Sequence, residues 1–73
     1  AGAEELQRAI LNSIEQLPDD LKQALTLREL EGMSYDEIAV AMNCPIGTVR
    51  SRIFRARDYV VQEISQQFPG TFL

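Results

Sequence analysis

Residues 34–57 read SYDEIAVAMNCPIGTVRSRIFRAR. The stretch opens on Ser34-Tyr35-Asp36-Glu37, a capping box. In that motif the serine hydroxyl accepts from the amide three residues on, and the glutamate reaches back to the serine amide. A short helix is expected to follow, with Ile38, Ala39 and Met42 turned inward and Asn43-Cys44 closing it. Pro45 suits the first position of a further helix, where its missing N–H costs nothing. That helix is expected to run from about residue 45 to 64. A short helix, a tight turn and a longer helix form the helix-turn-helix plan.

Towards the N-terminus the pattern stays helical. Leu6, Ile10, Ile14 and Leu17, with Ala9 beside them, recur at the spacing of an amphipathic helix over residues 4–17. Pro18 then suits the start of a second helix, and Asp19 and Asp20 in its first turn complement the positive end of the helix dipole. Leu21, Ala24, Leu25, Leu27 and Leu30 form its apolar stripe, and Gly32 marks its end. Strand signals are absent. The expected fold is all-α, a four-helix domain over residues 4–64 with a C-terminal helix-turn-helix. Residues 1–3 (Ala1-Gly2-Ala3) are expected to be linker, and residues 65–73, which contain Pro69 and Gly70, a flexible tail.

Composition narrows the function. A chain of 73 residues makes one small domain with a modest core. Hydrophobic residues at 45% and charged residues at 25% are ordinary for a globular protein. No apolar run approaches the roughly 20 residues that span a membrane, and no signal-peptide pattern is present, so no membrane insertion is expected. Cys44 is the single cysteine and there is no histidine, which argues against an internal disulfide and a metal centre and fits a cytoplasmic protein. Without histidine or a glycine-rich phosphate loop, an enzyme or a bound cofactor is not expected.

The charge is unevenly spread. Overall the chain is acidic, with 7 Lys+Arg against 11 Asp+Glu. Residues 47–57 nevertheless hold Arg50, Arg52, Arg55 and Arg57 and no acid. A protein of negative mean charge can still present a local positive field to a phosphate backbone.

Helical phase divides this last segment. Val49, Ile53, Ala56 and Val60 fall within about 60° of one another and form the core face. Opposite lie Ser51 and Asp58, flanked by Arg50, Phe54 and Arg55, with Arg52 and Arg57 at the borders. Arginine can bond two acceptors of guanine at once, serine can donate or accept, and an aromatic edge packs on a thymine methyl. Border arginines would meet the phosphate walls of a groove. The first turn, Pro45 to Thr48, presents free backbone amides that favour phosphate, and Gly47 has no side chain to hold the backbone away. Other readings stand beside this one. The arginines could form a solvated face or pair with acids of the first two helices. Phe54 could pack inward on Phe68 or Phe72. Cys44 and Tyr35 could be packing residues, and Arg28 an ordinary surface charge.

Residues 17–57 as a whole resemble region 4 of the extracytoplasmic-function sigma factors of bacterial RNA polymerase, in particular the sigma-E-like group. The resemblance rests on LP at 17–18, LRELEG at 27–32, SYDEIA at 34–39 and GTVRSRIFRAR at 47–57. It implies a domain that binds the promoter −35 element with its last helix in the major groove of double-stranded DNA. It also implies docking on the flap of the polymerase β subunit and control by an anti-sigma factor. Carried over by position, base reading falls to Arg50, Ser51, Phe54 and Arg55, the same residues that the helical phase selects. Backbone contacts fall to Arg28, Tyr35, Gly47, Thr48, Arg52 and Arg57. The region that reads and melts the −10 element in such factors has no counterpart here, so the chain is expected to be an excised domain. A helical protein-interaction module and a LuxR-type regulator output domain are the competing readings. The LP…LRELEG lead-in and the SRIFRAR run argue against the latter.

Overall fold

A computed structural model describes residues 2–71. Four helices follow one another: α1 (Gly2–Glu15), α2 (Asp19–Glu29), α3 (Tyr35–Met42) and α4 (Ile46–Gln67). The all-α expectation and the C-terminal helix-turn-helix both hold. At 1.5 Å per residue the 22 residues of α4 span about 33 Å, which accounts for most of the 39 Å long axis.

Helix α4 is the element against which α1, α2 and α3 all pack. Its buried seam is Val49, Ile53, Ala56, Val60 and Ile64. Into that seam come Ala9 and Ile14 of α1, Ala24 and Leu25 of α2, Ile38 of α3 and Leu17 from the first turn. The buried Ser13 is satisfied within α1, its hydroxyl donating to the Ala9 carbonyl at 3.0 Å. Leu30, expected in the apolar stripe of α2, instead stands 58% exposed as the C-cap of that helix, still in right-handed helical geometry.

The helix boundaries shift from expectation for local reasons. Gly2 and Ala3, expected to be linker, belong to α1, whose first turn carries Glu4 and Glu5 beside the positive end of the dipole. Helix α1 stops at Glu15, before the expected residue 17. The amides of Gln16 and Leu17 close back on the carbonyls of Ser13 and Ile14, and the residue before a proline is steered away from helical geometry. Pro18 (ψ 149°) and Pro45 (ψ 151°) are extended and act as N-caps, one position ahead of the expected place. Helix α4 continues past residue 64 to Gln67, because Ile64 is fully buried and the Phe68 amide donates to its carbonyl at 2.7 Å. Phe68 then packs against the core, so the chain stays attached beyond the expected start of the tail. Phe72 and Leu73, at the end of the expected tail, and Ala1 lie outside the described residues.

The connections that set α3 and α4 are short. Gly32 takes the left-handed conformation (φ 71°), which brings the Met33 amide onto the Leu27 carbonyl at 3.0 Å. Ser34 then caps α3 with both halves of the expected box. Its amide donates to Glu37 Oε1 at 2.8 Å, and its Oγ accepts from the Glu37 amide at 3.1 Å. Such a cap contributes about 1 kcal/mol. Asn43 ends α3 in the left-handed region (φ 52°), a conformation that asparagine tolerates better than most residues. Only Asn43, Cys44 and Pro45 separate α3 from α4.

No helix among the described residues is long and apolar enough to cross a membrane.

The capping box makes α3 sensitive to acid. The hydrogen bonds from Ser34 hold the Glu37 carboxyl below the usual carboxylate range. Its stabilising effect is therefore complete above the unfolded glutamate value of about 4.3, and is lost as pH falls through the lower folded value. Thermal melts followed by circular dichroism should show wild-type stability falling below about pH 4, with a shallower fall for Glu37→Gln, which keeps the acceptor and loses the titration.

Candidate nucleic-acid interface

With Val49, Ile53, Ala56 and Val60 buried, the residues half a turn away on α4 have no route inward. Arg50, Ser51, Phe54 and Arg55 are all exposed, and Phe54 is 72% accessible. Phe54 stands in solvent rather than packing inward, whereas Phe68, the C-cap of the same helix, packs against the core. Among the described residues, Arg55 makes no hydrogen bond or ion pair, and Arg50 approaches only the Tyr35 ring, its guanidinium carbon 5.9 Å from the centroid.

The border arginines behave differently. Arg52 is half-buried and lies 3.6 Å from Asp20 Oδ2 of α2, with its guanidinium also 3.8 Å from the Cys44 sulfur in the turn. Arg57 pairs with Glu29 at the end of α2, Nε donating to Oε1 at 2.8 Å and a terminal nitrogen donating to the same oxygen. The Glu29 carboxylate holds the Arg57 guanidinium charged, with its pKa above the usual arginine value. Half of the arginine charge of residues 47–57 is thus paired with acids of α2, as one of the competing readings of the charge run anticipated. The other half is exposed and has no acidic partner among the described residues.

Arg28 is an internal brace as well as a cation. It donates to the Met33 carbonyl at 2.9 Å, which locks the turn between α2 and α3. Its guanidinium lies 4.8 Å from the centre of the Tyr35 ring. Tyr35 is half-buried against the core and stands between Arg28 and Arg50. Cys44 is half-buried in the turn.

At the start of α4, the amides of Thr48 and Val49 close on the Pro45 carbonyl, and the first turn contains no acid. Gly47 is exposed there with ordinary helical geometry, and a Cβ added to it would meet nothing within 4 Å. The fold itself therefore has no need of glycine at this position.

Helical phase found the exposed set but gave no sign of Asp20 and Glu29 as partners of the arginines, because each pair joins helices distant in sequence. Among the described residues no group of three or more histidine, cysteine or acidic side chains could hold a metal.

The geometry is that of a helix-turn-helix presenting an arginine–aromatic face, and the comparisons with known proteins agree with it. The family model described as "Sigma-70, region 4" matches residues 7–60. The chain is 56% identical over 62 residues to the ECF RNA polymerase sigma-E factor of Escherichia coli (strain K12), a match covering 85% of this chain and 32% of that protein. The sigma-E factor of Salmonella typhi matches to the same extent. The one from Haemophilus influenzae is 60% identical over 60 residues, covering 82% of this chain and 32% of its own length. The chain thus spans about a third of the length of these relatives.

Gly47 offers a test that separates fold from surface. Gly47→Ala should raise stability by about 0.4–1 kcal/mol in a thermal or urea melt, because alanine restricts the unfolded chain and fits the helix.

Proposed function

Because the chain belongs to the sigma-70 region 4 family and is sigma-E-like within it, we propose that it reads the −35 element of bacterial promoters for an extracytoplasmic-function sigma factor. It does so with α4 in the major groove, and it acts in transcription initiation, in the cytoplasm. The observation that carries the reading is Phe54, 72% exposed on the outward face of α4 between Arg50 and Arg55, neither of which has an acidic partner among the described residues. A large aromatic is poorly suited to an idle surface, whereas a groove offers it thymine methyls.

In this reading Arg50 and Arg55 bond base acceptors, Ser51 donates or accepts at a base edge, and Phe54 packs on a methyl. Arg52 and Arg57 flank the helix and contact phosphates, while Gly47 and Thr48 bring the helix N-terminus close to the backbone. Tyr35 and Arg28 complete the backbone contacts from α3 and α2. Arg28 uses one donor on Met33, and its remaining donors are available to phosphate.

A second surface favours a protein partner. Leu6, Ile10, Leu11, Ile14, Leu30 and Val60 line an apolar groove on α1, α2 and α4, with Leu11 44% and Leu30 58% exposed. We assign this groove to a partner within the transcription machinery, the polymerase β-subunit flap or an anti-sigma factor.

Binding to duplexes selected from a random pool, set against scrambled duplexes, tests the DNA reading. Arg55→Ala should lower affinity for the selected duplex by about 1–3 kcal/mol and relax preference at one base pair. A loss equal over all sequences would make Arg55 a phosphate contact, and equal wild-type affinity for both duplexes would remove the −35 reading. Leu11→Asp should weaken association with core polymerase in a pull-down by at least tenfold while leaving duplex affinity within about twofold, since it puts a charge into the apolar patch from α1 and leaves the Glu29–Arg57 pair in place.

A further inference from the structure

The arginines of α4 fall into two classes that differ in more than position. Arg50 and Arg55, which face outward, have no acidic partner among the described residues. Arg52 and Arg57, at the flanks, are each held by a carboxylate of α2. We infer that Asp20 and Glu29 are specificity determinants that touch no base. By pairing with the flanking arginines they damp the sequence-independent attraction to phosphate, and they leave the base-directed arginines at full strength. This rests on the DNA-binding reading above.

Two observations and one general principle carry it. First, the pairs are solvent-accessible: side-chain exposure is 48% for Arg57 and 44% for Glu29, and 23% for Arg52 against 51% for Asp20. A phosphate can therefore reach the arginines, but it must share them with, or displace, a carboxylate already in place. Second, pairing selects among the acids. Asp19 and Glu31 are neighbours of Asp20 and Glu29 in sequence, and they make no ion pair among the described residues. The acidity of α2 is thus placed on these two arginines rather than spread over the helix. Third, affinity for phosphate is the component that grows with each cation engaged and carries no sequence information, whereas discrimination comes from base contacts. Weakening the first at constant strength of the second raises the ratio of selected to random binding, which governs occupancy among many competing sites.

The experiment compares Asp20→Asn, Glu29→Gln and the double variant with wild type. Each is titrated against a duplex selected from a random pool by the wild-type chain, and against a scrambled duplex, over a series of salt concentrations. The expected result is a steeper fall of log K with log salt, by up to about 0.9 for each arginine released. Scrambled-duplex affinity should rise several-fold, with a smaller rise for the selected duplex, so that the ratio of the two falls. Asp19→Asn and Glu31→Gln remove the same charge without releasing an arginine and should leave the slope near wild type. Adding Glu29→Gln to an Arg57→Ala background should likewise leave the slope unchanged. A thermal melt accompanies each variant, since a purely structural role lowers stability and weakens binding to both duplexes without steepening the slope; that outcome overturns the inference. Equal steepening by the control substitutions overturns it too, by reducing the effect to net charge. If wild type fails to prefer the selected duplex, the −35 reading falls, while the slopes still decide whether the acids restrain Arg52 and Arg57. If neither wild type nor the double variant binds duplex DNA, both fall.

Discussion

The burial of one seam along α4 governs the rest of the structure. Val49, Ile53, Ala56, Val60 and Ile64 repeat at helical spacing and are buried against three different helices. Burying a valine or isoleucine side chain contributes about 1.5–3 kcal/mol, so the seam carries a large part of the stability open to so small a domain. A rotation of α4 by a third of a turn would expose it and bring arginines into the core, where an unpaired charge is costly. The outward placement of Arg50, Ser51, Phe54 and Arg55 is thus a consequence of packing rather than a separate feature. It leaves Phe54 in solvent, an arrangement that packing alone does not favour.

The electrostatics of the domain follow from how α2 and α4 meet. In an acidic protein a basic helix could be neutralised throughout, and here it is neutralised only at its flanks. Asp20 and Glu29 are near enough to reach Arg52 and Arg57, while Arg50 and Arg55 are exposed and make no ion pair among the described residues. Exposed pairs of this kind are worth about 0–1 kcal/mol, so they orient side chains more than they hold helices together. Tyr35 extends the same network, with Arg28 on one side and Arg50 on the other, and ties the first element of the helix-turn-helix to the second.

The small core has a further effect. So small a domain cannot cover all of its apolar surface, and Leu11, Leu30, Val40 and Val61 remain exposed. Leu11 and Leu30 share one groove, separate in composition from the arginine face. The chain thus presents two chemically distinct surfaces, one cationic and aromatic and the other aliphatic, and they meet at Glu29, which lines the groove and pairs with Arg57.

Much of this was legible in the order of residues. The capping box at Ser34, the stop at Asn43, the seam of α4 and its four outward residues all depend on neighbours within about four positions, where helical geometry alone dictates what meets what. The same locality explains what remained hidden. Arg57 and Glu29 stand 28 residues apart, and nothing in either segment marks the other as its partner. Arg28 could be read from sequence as a surface charge or a phosphate contact, and its role in bracing the Met33 carbonyl appears only once the left-handed Gly32 has folded the chain back. Phe68 stands beside Pro69 and Gly70 in the stretch expected to be a flexible tail, yet it packs against the core just beyond the buried Ile64. By itself the sequence determined which face of each helix is apolar and where the helix-turn-helix lies. Only the tertiary structure decided which arginines meet an acid of α2, because that depends on the distance between helices, which short-range periodicity does not encode.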